Sequence, residues 1–234
     1  MLAAITPFFL FVAFLLLLLV SLSLPIIKSI FLFRLTANDT ASFLHASASA
    51  SGEVRFGVWG YCTSAITVQV IGVDHETAGQ CSSPHLGYQF DSNVANALHV
   101  SGFSDTISRT LSAVLVLHPI ACALAFVALV TSLFITSRRA PGTVSRPAAL
   151  ATLTIALLAA VITTVIFLLD VIFVAVVRNK INDESDGVLQ LNWGNAVWMA
   201  LGATIALWAS VVSDCAGLCG FGRRYSRKRA DGRY

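Results

Sequence analysis

Four long apolar runs, at residues 2–24, 111–136, 148–177 and 196–212, constrain this chain more than any other feature. About 20 apolar residues wound as an α-helix, at about 1.5 Å per residue, cross a hydrocarbon core of about 30 Å. Charged residues make up only 12% of the chain against 56% hydrophobic, about half the charge of an ordinary soluble domain. The expected fold class is therefore membrane all-α, a four-transmembrane-helix bundle over residues 1–222, with a small extracellular β element in the first loop, residues 36–108. Small residues recur at helix-packing spacing: Ala121, Ala125 and Ala128, then Ala156 and Ala160, then Gly202, Ala206 and Ser210, a pattern that lets membrane helices approach closely. The third run has 30 residues and would rise about 45 Å. It must tilt or protrude, and its outer end would then buttress the first loop.

Basic residues set the orientation. Arg138, Arg139 and Arg146 lie between the second and third runs, and Arg223, Arg224, Arg227, Lys228, Arg229 and Arg233 lie in the basic tail at 223–234. Placing both segments in the cytoplasm follows the positive-inside tendency and makes both termini cytoplasmic. Lys28 and Arg34 then fall on the outer side, outvoted by nine bases on the inner side. The first run reads as an uncleaved span. The alternative is a signal peptide cleaved after Ser21-Leu22-Ser23, but no Lys or Arg precedes the apolar stretch, which exceeds an ordinary signal core. Pro25-Ile26-Ile27-Lys28 marks the exit of this run, and residues 29–35 read as an interfacial extension.

The first loop carries six acids against one base, Arg55. Its Ala/Ser-rich piece at 41–52 reads as disordered low-complexity sequence. Next comes Phe56-Gly57-Val58-Trp59-Gly60-Tyr61-Cys62. The paired glycines permit a tight bend or a close backbone approach, and Val58, Trp59 and Tyr61 alternate as in a strand. With Ile66-Thr67-Val68-Gln69-Val70-Ile71 this stretch predicts a hairpin. Cys81 lies 19 positions after Cys62, both in the exported loop, and an oxidising compartment joins such thiols, so the two are expected to form a disulfide. Turns at Asp91-Ser92-Asn93 and Ser101-Gly102 would flank a short helix at 94–99. Asn38-Asp39-Thr40 is the one N-glycosylation sequon, on the outer side in this topology.

Chemical candidates are few. His118 and Asp170 are the two polar titratable groups within the apolar runs, each seven residues from the outer end of its run, and so at the same depth. They form the expected intramembrane pair, the alternatives being a kink at Pro119 for His118 and a headgroup position for Asp170. A proton or ion pathway needs several such groups in file. No Ser, His or Asp of the loop stands in a nucleophile-elbow or HExxH context, so neither catalysis nor a small-molecule substrate is indicated. His45, His75, His85 and His99 read as solvated loop residues. No cysteine or histidine spacing suits a metal, and no cofactor or nucleic-acid partner is implied. Cys215 and Cys219, beside the basic tail, suit S-palmitoylation or simple helix packing, and the tail itself suits anionic lipid.

Pro25-Ile26-Ile27-Lys28, the Gly-aromatic-Gly-Tyr-Cys motif, Thr110-Leu111-Ser112-Ala113 with His118-Pro119, Leu169-Asp170-Val171 and the Trp-rich start of the fourth run together resemble the claudin-like four-span membrane proteins. Among these the chain looks most like the fungal PalI family, membrane components of ambient-pH signalling. The resemblance covers nearly all of residues 1–222. The Ala/Ser-rich stretch reads as an insertion, and the tail is short where many relatives carry long Pro/Gly-rich ones. It implies a non-enzymatic, multi-pass plasma-membrane protein in the lipid bilayer. Such a protein would assist a multi-span pH sensor upstream of proteolytic activation of a transcription factor. The rival implication is a structural organiser of cortical membrane domains, like the eisosome-associated tetraspanners.

Overall fold

A computed structural model of the chain describes residues 5–43, 46–64, 66–70, 73–77, 79–83, 104–137, 146–184 and 189–231. Among them are four helices, α1 (Ile5–Ser21), α2 (Ser104–Ser137), α3 (Arg146–Glu184) and α4 (Asn195–Asp231). Three contain stretches long and apolar enough to cross a membrane: Leu115–Ser137, Ala149–Asn179 and Asn195–Gly217. The fourth, α1, is apolar but only 17 residues long. The apolar run at 2–24 does not continue as helix to its end, because Ser23, Leu24 and Pro25 fold into turns whose polar groups bind other parts of the chain. Helix α4 continues to Asp231, since Arg and Lys are good helix formers once the helix is nucleated.

The chain divides into two compact units. The first comprises Met1–Leu18, Pro119–Val165 and Ala200–Tyr234. It packs through small residues: Ala13, Ala121, Ala125, Ala128, Ala156, Ala159, Ala160 and Ala203 are fully buried. A Cβ added at Gly202 would sit 3.3 Å from Leu16. Hydroxyls return to their own helices, Thr163 donating to the Ala159 carbonyl at 2.8 Å, Thr204 to that of Ala200 at 2.8 Å and Ser210 to that of Leu207 at 2.7 Å. Buried hydroxyls thus stay satisfied where no water reaches them. The Trp208 indole donates to Thr164 Oγ1 at 3.1 Å.

The second unit comprises Leu19–His118 and Ile166–Met199. Its six strands are β1 (Phe33–Phe43), β2 (Ala46–Phe56), β3 (Tyr61–Thr63), β4 (Ile66–Val70), β5 (Val73–Thr77) and β6 (Leu189–Trp193). They form one antiparallel sheet in the order β5-β4-β2-β1-β6, with β3 also on β2. Three sequence expectations are corrected here. Residues 41–52 are strand rather than disordered, because Phe33 opposite Phe56 fixes a register that carries the Ala/Ser stretch along in β1 and β2. Residues 29–35 are a turn and the root of β1, where the sequence suggested only an extension of the first run, since Asn195 and β6 pin them. The hairpin also pairs differently. Residues 61–63 turn back onto 54–56, while β4 pairs with Ser49–Ser51 of β2 and with β5. The expected helix at 94–99 and its flanking turns lie outside the described residues.

Antiparallel register puts Trp193, Phe33, Phe56 and Tyr61 side by side across four strands on one face. Phe33 and Phe56 stack at 4.6 Å, and Phe33 meets Phe173 of α3 at 5.6 Å. With Val20, Ile30, Leu32, Val58, Leu115, Val174, Leu191, Ala196 and Val197, Phe33 and Phe56 form the buried core of the unit, and Tyr61, Phe173 and Trp193 pack half-buried against it.

Candidate functional site

The Gly-aromatic loop is a tight connection rather than a strand. The Gly57 N–H donates to the Gly60 carbonyl at 2.8 Å, closing the turn that lets β3 fold back on β2. Trp59 is therefore not in strand alternation. Its backbone N–H donates to the Leu24 carbonyl at 3.1 Å and its indole N–H to the Ser21 carbonyl. The Val58 N–H donates to Ser23 Oγ at 2.9 Å, and Val58 itself is fully buried. This docking needs glycine. A Cβ at Gly57 would lie 2.5 Å from Leu24 Cβ and 2.7 Å from its backbone nitrogen and oxygen.

A disulfide joins Cys62 to Cys81. Backbone bonds flank it: the Thr63 N–H donates to the Gln80 carbonyl at 2.8 Å, and the Ser82 N–H to the Tyr61 carbonyl at 2.9 Å. The Tyr61 N–H donates to Ser82 Oγ at 3.1 Å. The segment 79–83 is thus laid along β3 and cross-linked to it.

Below this loop, His118 of α2 and Asp170 of α3 approach with Nε2 and Oδ2 3.2 Å apart, both side chains buried. The distance is that of an ion pair. Leu115 and Val174, about one helical turn from His118 and Asp170 respectively, share the buried core with Val58. One contiguous cluster therefore links the loop to the polar pair. Such an arrangement can fix helix rotation and loop posture.

Residues that sequence reasoning passed over complete the site. Asn195, the first residue of α4, accepts from the Phe31 N–H at 3.0 Å and donates from Nδ2 to the Ser29 carbonyl at 2.9 Å. The Gly194 N–H donates to the Leu32 carbonyl at 2.8 Å, and a Cβ at Gly194 would lie 2.0 Å from the Phe31 oxygen. Gly-Asn immediately before an apolar run is a helix-start signal, and the alternation Leu-Gln-Leu-Asn-Trp is a strand signal. Ser21, Ser23 and Ser82 carry no sequence signal, because their role depends on long-range docking.

Other sequence candidates are scattered. Asn38 lies within β1, in register with Ser51. Cys215 is exposed on α4 and outside any disulfide. Cys219 is one turn further along that helix, its side chain outside the described residues. His45, His85 and His99 also lie outside them, as does the side chain of His75. Among the described residues no three His, Cys, Asp or Glu side chains cluster as a metal site would require.

A family model described as the SUR7/PalI family matches residues 2–210. No curated protein matches the chain.

Proposed function

The chain belongs to the SUR7/PalI family and is a multi-pass membrane protein of it, and from that premise we propose that it serves the fungal ambient alkaline-pH response. In this reading it is a non-enzymatic plasma-membrane component with both termini cytoplasmic. It assists a multi-span pH sensor upstream of proteolytic activation of a transcription factor. The observation that carries the reading is the continuity from the disulfide-closed loop through Val58 to Leu115 and Val174. A protein that holds a partner needs a stiff surface tied to its membrane helices, and this core supports that reading. His118 and Asp170 fix the rotation of α2 against α3 beneath that surface.

The test is a fungal strain lacking the protein. Failure to grow at alkaline pH, with the transcription factor left unprocessed and both restored by the wild-type chain, supports the proposal. Normal growth and processing with misplaced cortical patches would replace it with the eisosome-like role. Topology is checked separately. A sequon engineered near Asp74 should be glycosylated, and one placed in residues 137–147 should not; the reverse result inverts the orientation.

A further inference from the structure

The face of the sheet opposite the aromatic row carries an arrangement that stability alone does not explain. Arg34 of β1 and Arg55 of β2 are directly opposite each other in register, and like charges so placed destabilise a strand pair. One carboxylate stands between them. Glu53 Oε1 is 2.7 Å from Arg55 Nε and 3.9 Å from Arg34 Nη1. Two guanidinium groups against one carboxylate leave an excess of one positive charge. The Arg55 guanidinium also lies 5.4 Å over the Phe31 ring, which holds its plane in place. Both arginine side chains remain open to solvent, at 43% and 41%. Among the described residues neither has a second carboxylate within ion-pair distance.

The position of the pair selects the ligand. Arg34 is one residue into β1, and the turn just before this strand exposes Ile26 beside the exposed Lys28. An exposed aliphatic side chain next to a lysine is what a segment at the lipid–water boundary presents. Paired guanidinium forks match the several oxygens of a phosphate better than a single carboxylate does. We propose that Arg34 and Arg55 form a phosphate-binding clamp, in which Glu53 occupies the place between the two guanidinium groups until a phosphate displaces it. At this site the phosphate is that of an outer-leaflet lipid headgroup. In the topology proposed above, on which this inference rests, the clamp accounts for arginine on the outer side, where positive charge is disfavoured.

Native mass spectrometry of the full chain released from micelles containing phosphatidylglycerol, with diacylglycerol as the phosphate-free control, tests the clamp. Wild-type protein should retain phosphatidylglycerol and not diacylglycerol. Arg34→Gln/Arg55→Gln should weaken retention on the order of tenfold. Glu53→Gln should strengthen it, because both arginines remain and the competing carboxylate is gone. Non-reducing electrophoresis, reading the Cys62–Cys81 disulfide, reports whether each variant is folded. If the double arginine variant does not fold, Glu53→Gln decides alone. Equal retention by all three proteins, or equal retention of diacylglycerol, overturns the proposal. If millimolar inorganic phosphate displaces the lipid from wild type but not from the arginine variant, the clamp stands and accepts soluble phosphate as well.

Discussion

In the unit formed by Met1–Leu18, Pro119–Val165 and Ala200–Tyr234, helices pack through alanine, and buried hydroxyls such as those of Thr163 and Thr204 bond to carbonyls of their own helices. In the unit formed by Leu19–His118 and Ile166–Met199, stacked aromatic rings, a disulfide and hydrogen bonds between residues more than 150 positions apart do the same task. The first strategy depends on surface fit alone, since lipid offers no hydrophobic drive to bring helices together. The second buries large side chains, with Phe33, Phe56, Leu32 and Leu191 in one core. The comparison teaches that specificity is concentrated in the second unit. There a single atom added to the backbone has nowhere to go.

Glycine substitutions test that contrast most sharply. Gly194→Ala and Gly57→Ala should each cost more than about 4 kcal/mol, since the added carbon would overlap backbone atoms. Gly217→Ala, with nothing within 4 Å of the added carbon, should gain about 0.5–1 kcal/mol within its helix. Thermal unfolding of purified protein in micelles would rank the three, and equal shifts would erase the distinction between the units. Removing one partner of the buried pair comes next. Asp170→Ala should cost about 3–5 kcal/mol, and adding His118→Ala should cost less than the sum. Additive losses in that double-mutant cycle would mean that the two groups do not interact.

Cys62→Ser with Cys81→Ser should cost roughly 3 kcal/mol and expose the sheet to protease, while the alanine-packed unit stays resistant. Cleavage in both units together would show that they melt as one. Overpacking the other side, Ala160→Leu at a fully buried site, should cost about 1–3 kcal/mol, and a neutral outcome would show slack there. The smallest effect concerns Glu53. Its hydrogen bond from the Arg55 guanidinium holds its pKa below the usual 4.5, so this contribution is complete above about 4.5 and lost as pH falls through the lower folded value. At a part-exposed pair it is worth about 0.2–1 kcal/mol. An acid titration of stability that Glu53→Gln leaves unchanged would remove even that.

The spans were legible because long apolar runs have one physical solution in a bilayer, and the Gly-aromatic motif was legible as a bend. Strand β6 was hidden inside a segment of mixed charge, where five alternating residues weigh little against the helix before them. The Ala/Ser stretch of β2 has poor strand propensity of its own, and only the Phe33–Phe56 stack at its far end dictates the pairing. That α1 stops at Ser21 could not be read locally either. The turn after it is held by Val58 and Trp59, more than 30 residues away in sequence.

The Asn195 contacts make the first turn of α4 and the root of β1 one mechanical part. With a backbone N–H, a carbonyl and a carboxamide bonded together, and Gly194 leaving no clearance beside them, a rotation on one side of the joint has to strain these contacts or be followed on the other. A partner that twisted the sheet would be felt at the start of α4, and a change that turned α4 there would re-aim the surface the sheet presents.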